Sequence, residues 1–370
     1  MARKAAGTRT RADGTLEKRF TIDGKRYSVY GKTNKEIQEK ETALRETIKA
    51  GIYNSNRKIT LDAYFEEWKA RKRDTVKPAT VRTYDCYYRG HISPVIGKKK
   101  VQGLERREII ALQKSIRESA TVNTANFCMK TLRAILNDAV IDDIIVKNPA
   151  AGIKDIKDTE AAASETIHRA LTEAEQGDFM QEMKEDPYYE FVAFLLCTGM
   201  RTGEAAALTW EDIDYAENVA HVRKTWTHTE AGERVIGTPK SAAGIRDVPL
   251  TESTKEVLKR QRDKIGRNII PMGGNLIFTT NYDKAIESQQ VNRAIKSALD
   301  RLEKKGKPIE AFTAHALRDT FATRYIEQGG TPQTLKTILG HTSLAMTMDL
   351  YAHVLPNTKQ EEMKKIHIAI

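Results

Sequence analysis

The 370-residue chain carries 61 Lys and Arg against 50 Asp and Glu, for a net charge of +11 and a pI near 9.3. That balance points to a polyanionic partner, and the length suffices for two or three domains with cores of their own. Cys86, Cys128 and Cys197 are scattered and odd in number, which excludes a disulfide framework or a Cys-x-x-Cys zinc site. No secretory leader or apolar run of about 18 residues is present, so the sequence reads as a soluble cytoplasmic protein with no membrane partner.

The positive charge lies at the front. Residues 1–60 hold 15 Lys and Arg against 7 Asp and Glu, residues 61–160 hold 19 against 14, and residues 161–370 hold 27 against 29. The first dozen residues are basic and without periodicity, so they are expected to fray. Thr15–Thr21 and Lys25–Tyr30 read as strands joined at Asp23-Gly24, a strong hairpin signal. From Lys32 the spacing of Ile37, Leu44 and Ile48 turns helical.

Four helical patterns occupy residues 59–148. Leu61–Lys72 sets Leu61, Tyr64, Phe65 and Trp68 on one face, and Pro78 opens a second helix through Tyr84, Tyr87 and Tyr88 that Ser93-Pro94 and Gly97 break. Leu104–Ile116 and Thr121–Val140 follow, the latter with Phe127, Leu132, Ile135 and Leu136 expected inward. Residues 149–166 are small, charged and weakly periodic, the composition of a linker.

Residues 167–355 mix helices and short strands. Thr172 and Glu175 form a capping box, and an apolar helix over Tyr188–Cys197 ends at Thr198-Gly199. Arg201 follows at a backbone corner before a new helix, with Glu204 within ion-pairing reach. Taken alone, that arginine is more simply a surface ion pair. Val219–Thr225, Arg234–Gly237 and Gly244–Leu250 alternate as three antiparallel strands, with Lys240 in the loop before the third. Ser253–Arg260 and Gln290–Leu302 read as helices, and Asn275–Phe278 as a short strand before the second.

The block from Thr313 to Val354 concentrates the chemistry. His315 and Arg318, three residues apart, share one face of a helical turn. His341 follows a chain-turning glycine, and Tyr351 comes ten residues later. Two histidines, an arginine and a tyrosine suit attack on a phosphodiester: a phenol nucleophile, a cation for the non-bridging oxygens, and imidazoles to move protons. Tyr325 is a rival nucleophile that reads more naturally as a packed helix residue.

His-x-x-Arg, then Gly-His, then tyrosine resembles the C-terminal half of a phage-type tyrosine recombinase, most like integrases of conjugative transposons and temperate phages. The resemblance implies a multidomain DNA breaking-rejoining fold. Residues 1–58 would be an arm-type DNA-binding domain of one small sheet and a helix, entering the major groove with Arg11, Lys18, Arg19, Lys25 and Arg26. Charge that merely solvates a surface hairpin is the alternative. Residues 59–148 would be an all-α, SAM-like core-binding bundle presenting Lys77, Arg82, Lys130 and Arg133. Residues 167–355 would be a mainly α catalytic domain with a small antiparallel sheet, and residues 356–370 a tail that docks on a neighbouring protomer.

In that family Thr-Gly-x-Arg-x-x-Glu supplies a phosphate-clamping arginine, here Arg201, and a Pro-Lys-x-x-x-Gly-x-Arg loop supplies a catalytic lysine, here Lys240. With His315, Arg318 and His341 these would serve Tyr351, which forms a 3′-phosphotyrosyl intermediate. Exchange of one phosphodiester for another needs no ATP, and the cations replace a metal, so no cofactor is expected. Metal-binding histidines would need a ligand-spacing signature that is absent. Asp319 departs from the family, where histidine is common. The implied partners are double-stranded DNA at core and arm sites, further copies of the chain as dimer and tetramer, and an accessory DNA-bending or excision factor. A non-catalytic DNA-binding protein and a relaxing topoisomerase are the competing classes.

Overall fold

Alternation of threonine, aromatic and charged residues puts β1 (Thr8–Thr10), β2 (Leu16–Ile22) and β3 (Lys25–Gly31) into one antiparallel sheet, covered by α1 (Asn34–Lys49). The computed structural model describes residues 8–11, 14–22, 25–49, 58–157, 169–266, 275–280 and 284–354. It divides into two compact units at Asp158/Thr159. The expected turn at Asp23-Gly24 lies outside the described residues, but Ile22 pairs with Lys25 on either side of it. Within the dozen residues expected to fray, Thr8–Thr10 instead pairs with Leu16–Lys18 and covers what would be a bare edge of β2, while residues 1–7 and 12 lie outside the described residues.

The bundle follows the pattern of its apolar residues. Thr60 caps α2 (Leu61–Lys72), whose Leu61, Tyr64, Phe65 and Trp68 are fully buried. α3 (Pro78–Tyr87) runs on through Tyr88–Gly97 in wider π turns, so Ser93-Pro94 does not break it as expected. The ring of Tyr88 is held against Phe65 at 3.7 Å, which fixes the start of that stretch in the core. The chain must leave at Gly97, where a Cβ would come within 2.1 Å of Asp62 Oδ1. α4 (Arg106–Ser119) and α5 (Val122–Ile141) complete the layer. Phe127 is not inward: it is 47% exposed and stacks on Tyr87 at 5.4 Å.

The segment expected to be a linker begins as part of this bundle. Asn126 bonds both the N–H and the carbonyl of Ile156 at 2.9 Å, and Gln113 Nε2 donates to Lys154 O at 3.0 Å. Ala150 and Ile153 are buried with them. Residues 158–168 lie outside the described residues.

In the second unit α6 (Glu173–Met183) starts at the Thr172/Glu175 capping box, and α7 (Tyr189–Thr198) ends at Gly199. α8 (Thr202–Ala205) leads into β4 (Ile213–Asp214), β5 (Val219–Val222), β6 (Thr225–His228), β7 (Arg234–Gly237) and β8 (Arg246–Pro249). These make two antiparallel sheets, β4-β5-β8 and β6-β7. The single strand expected over Val219–Thr225 is therefore two strands in different sheets. The break falls at Arg223-Lys224: Arg223 Nη1 donates to Arg246 O at 2.7 Å, whereas Lys224 Nζ pairs with Asp212 at 2.8 Å. Leu276 forms one bridge with Thr209 where a short strand was expected.

α9 (Glu252–Gly266), α10 (Ser288–Lys304), α11 (Ala314–Glu327), α12 (Pro332–Leu339) and α13 (Ala345–Val354) complete the chain. α7 packs between α9 and α11, and α10 bridges α6 and α11. The main core includes Phe191, Phe194, Phe278, Ile295 and Leu317. A satellite core of Ala322, Ile326, Leu335, Leu339 and Leu350 holds α13 to α11 and α12.

Candidate active site

Gly199 makes the first corner. It lies at φ +61°, and a Cβ there would stand 2.4 Å from the Phe321 ring, so only glycine lets α7 end this close to α11. Two residues later Arg201 is the extended N-cap of α8. Its N–H donates to Glu204 Oε2 at 3.1 Å and its Nη1 to Glu204 Oε1 at 2.7 Å. The ion pair that was the simpler reading of Arg201 thus exists, and its effect is to aim the guanidinium.

Glu204 is buried and receives a third donor, Arg246 Nη2, at 2.9 Å. Burial alone would raise its carboxyl, but the Arg246 and Arg201 guanidiniums outweigh burial and hold it below the ordinary carboxylate range. Arg246 is itself buried and donates also to Gly244 O at 3.0 Å and to Ile338 O. It cross-braces β8, α8 and the end of α12. Sequence reasoning quoted this arginine within the lysine-loop motif and gave it no role. The available signal was parity, since Arg246 shares the inward side of its strand with Val248, where a cation requires a buried partner.

Arg318 is 3% exposed on α11. Nη1 donates to Gly199 O at 2.8 Å and Nη2 to Leu339 O at 2.6 Å, both carbonyls at helix C-termini, where the backbone dipole is negative. Burial first, and then the charge of Arg201, push its pKa down to about 9. Buried Asp319, the departure from the family pattern, acts in the opposite sense and favours the charged guanidinium. Arg201 and Arg246 thus share one carboxylate, and Arg318, held by carbonyls instead, adds a third guanidinium whose charge Arg201 and Arg246 oppose, an arrangement that welcomes an anion.

Arg201, His315 and Arg318 line one cleft of about 280 Å³, together with Ser288 and Asn292 of α10. Asn292 Oδ1 accepts the N–H of Ala314 at 2.9 Å and so fixes the turn that carries exposed His315. His341 and Lys240 are not among the groups lining this cleft. His341 is tied close by, because Leu339, two residues before it, accepts Arg318. Gly340 between them has φ +66°, and a Cβ there would lie 2.7 Å from Ala243 O, so the β7–β8 loop backs directly onto the His341 turn. Lys240 is exposed on that loop. Tyr351 belongs to α13, and its side chain lies outside the described ones. Tyr325 packs against the satellite core, its ring within 2.1 Å of where a Cβ on Gly330 would stand.

The candidate DNA contacts separate by face. Arg19 Nε bonds Glu17 at 2.8 Å, Arg11 Nε approaches Glu17 at 3.5 Å, and Arg11 lies over the Tyr30 ring at 4.8 Å. Lys18 points to the opposite, helix-covered face and pairs with Glu41 at 2.6 Å, so it does not share the open face of the sheet. This sets it apart from Arg11 and Arg19 among the expected groove contacts. Side-chain parity in β2 is the reason, since Arg19 and Lys18 are adjacent. Lys25 and Arg26 stand opposite Ile22 and Thr21 in register, and their side chains lie outside the described ones. Lys77 and Arg82 are exposed at the start of α3, and Lys130 lies 5.9 Å over the Phe127 ring. Arg133 is half-buried and held by Asp155 and by Met129 O.

A model of the phage integrase family matches residues 169–358, and one of the phage integrase N-terminal SAM-like domain matches residues 60–117. A tyrosine recombinase XerC-like protein of Caldanaerobacter subterraneus is 27% identical over 365 residues, covering 92% of this chain and 91% of its own. The transposase from transposon Tn916 of Enterococcus faecalis is 27% identical over 350 residues, covering 90% and 83%. The Tn1549 transposon integrase, solved in complex with a circular intermediate DNA, matches at TM-score 0.69 and 23% identity, over 84% of this chain and 100% of that one. A lambda integrase tetramer bound to a Holliday junction matches at TM-score 0.60 and 20% identity, over 93% and 94%. At these identities the two structures speak for the fold.

Proposed function

The chain belongs to the phage integrase family of tyrosine-type site-specific recombinases, and on that premise we propose that it integrates and excises a mobile element through a 3′-phosphotyrosyl intermediate at Tyr351. The observation that carries the reading is the cleft in which Arg201, His315 and Arg318 meet, with a buried guanidinium that burial and a neighbouring cation leave in want of an anion.

A scissile phosphate in this cleft is gripped by the free donors of Arg201 and Arg318. Each arginine keeps part of its fork engaged with protein, so the remaining N–H groups are preoriented before DNA arrives. The Tyr351 phenol attacks phosphorus, and the new O–P bond replaces the bond to the 5′ oxygen. His315 assists removal of the phenolic proton, His341 donates to a non-bridging oxygen, and Lys240 on its loop protonates the departing 5′ oxygen. Attack by a partner strand's 5′ hydroxyl reverses the sequence. Each step trades one phosphodiester for another, so no external energy source enters.

The same reading assigns residues 1–58 to arm sites, residues 59–148 to the core site, and residues 356–370 to a neighbouring protomer. It implies a dimer on one site, a tetramer in synapsis, an accessory DNA-bending or excision factor, and action in the bacterial cytoplasm at the nucleoid. No helix among the described residues is long and apolar enough to cross a membrane.

A suicide substrate, a cognate core site nicked beside the cleavage point, tests the proposal. The full chain is expected to form a covalent adduct, Tyr351→Phe to bind without forming one, and Tyr325→Phe to behave as the parent does. An adduct that survives Tyr351→Phe and disappears with Tyr325→Phe would refute the assignment. Strand exchange between two cognate sites separates recombination from simple relaxation.

A further inference from the structure

We propose that Thr347 is a positioning residue that makes His341 a hydrogen-bond donor at Nε2 only while the helix bearing Tyr351 is docked. The proposal rests on the recombinase reading and adds a condition to it.

Thr347 Oγ1 lies 3.0 Å from His341 Nδ1, and Thr347 is completely buried. A hydroxyl carries one proton, and among the described residues this one has no other side-chain hydrogen bond. Burial keeps water from competing for it. The proton is therefore directed at the ring nitrogen, and a neutral imidazole that accepts at Nδ1 carries its own proton on Nε2. The choice of tautomer matters for a phosphate. An Nε2–H donates to a non-bridging oxygen, whereas the other tautomer presents a lone pair to an anion.

The two partners stand on different pieces of the fold. His341 belongs to the turn after α12, set by left-handed Gly340 and backed by the Ala243 carbonyl of the β7–β8 loop. Thr347 belongs to the first turn of α13, four residues before position 351 and hence on the same face of that helix. α13 is held by Leu350, buried among Ala322, Ile326, Leu335 and Leu339. If α13 leaves, Thr347 goes with it and the imidazole loses the hydroxyl that faces Nδ1. A protomer without its tyrosine in place would then also lack a correctly set phosphate donor.

The test uses the full-length protein. Thr347→Val removes the hydroxyl and nearly keeps the shape, and Thr347→Ser restores the hydroxyl. In single-turnover cleavage of the nicked core site, Thr347→Val is expected to be slower by about tenfold with unchanged DNA affinity, the scale of one lost hydrogen bond. Thr347→Ser should stay within about twofold of the parent, since the bond that sets the tautomer is retained. In a His341→Ala background Thr347→Val should cost nothing further.

Nitrogen NMR of ¹⁵N-histidine protein, with His341 assigned from the spectrum lacking it, should show the Nε2–H tautomer in the parent and a mixture in Thr347→Val. Normal cleavage by Thr347→Val, or an equal loss in the His341→Ala background, would overturn the proposal. If Thr347→Val does not fold, an Nδ1-protonated His341 in the parent is by itself the refuting result. The tautomer is read without cleavage, so failure of the parent to form an adduct would count against the recombinase reading alone.

Discussion

Glu204→Gln is the substitution in which the site's electrostatics and the domain's stability meet. The carboxylate takes Arg201 Nη1 at 2.7 Å, Arg201 N at 3.1 Å and Arg246 Nη2 at 2.9 Å, and the Arg246 and Glu204 side chains are each 3% exposed. Glutamine keeps one acceptor oxygen and turns an N–H₂ toward a second donor. Arg201 is over a third exposed, so its share is small after screening by water. Arg246 has no such relief. Leaving one buried charge without its partner costs about 3–5 kcal/mol, which puts the expected loss near 3 kcal/mol once the retained amide oxygen is counted. With a urea dependence of about 1–3 kcal/mol per molar, the midpoint should fall by roughly 1–3 M.

Trp226, whose Nε1 bonds Ala206 O at 3.0 Å beside this site, reports the transition by fluorescence together with Trp210 of the same unit in a Trp68→Phe background. The gap between parent and variant also has a sign in pH. The folded carboxyl of Glu204 lies below its ordinary range, so its stabilisation is present above the unfolded value, about 4.3, and is lost as pH falls through the folded one. A destabilisation below about 0.5 kcal/mol, or a gap that stays constant from neutral pH to pH 3, would refute the reasoning.

Gly199→Ala should destabilise by about 1–3 kcal/mol in the same assay, because φ +61° and the Phe321 ring at 2.4 Å both oppose a methyl group. Arg318, held near pKa 9 when folded and so well below the free side chain, imposes a cost on folding that is full below pH 9 and fades above it. Phosphate should therefore raise the melting temperature at pH 7 more than chloride of equal ionic strength does, and the extra gain should shrink in Arg201→Ala and at pH 10. In the N-terminal sheet, Arg19→Ala should weaken arm-site DNA binding and flatten its salt dependence by about 0.9 in log–log slope, as for one lost phosphate contact. Lys18→Ala should leave that slope unchanged and loosen α1 through Glu41, and equal slopes for the two variants would sink the assignment of faces.

How far the sequence could be read depended on the range of the interaction. α2 matched its reading over Leu61–Lys72 because a Thr60 cap and a 3.6-residue apolar stripe are written within a dozen residues. The Thr172/Glu175 box and the corner at Gly199 were legible for the same reason. Tertiary partners were not. Phe127 satisfied the helical period, yet it lies exposed on Tyr87, because periodicity assigns a face without saying whether another element covers it. Val219–Thr225 was read as one alternating strand, but Lys224 falls in the register of buried Ala220 and Val222, and the contacts of Arg223 to Arg246 and of Lys224 to Asp212 divide it between two sheets.

The same distinction orders the site. His315 and Arg318 were read from their three-residue spacing, and Arg201 from a short motif that the family resemblance supplied; both signals are local. What aims them is distant in sequence: Glu204 depends on Arg246, 42 positions later, and Arg318 depends on Gly199 O, 119 positions earlier. Arg318 spends two donors on carbonyls that close α7 and α12, so those helices must reach their final places before the guanidinium can face the cleft. Folding of this unit and assembly of its anion grip are thus one event. On the recombinase reading, a substitution that shifts either helix end is expected to reduce phosphate binding without altering any residue assigned to contact phosphate.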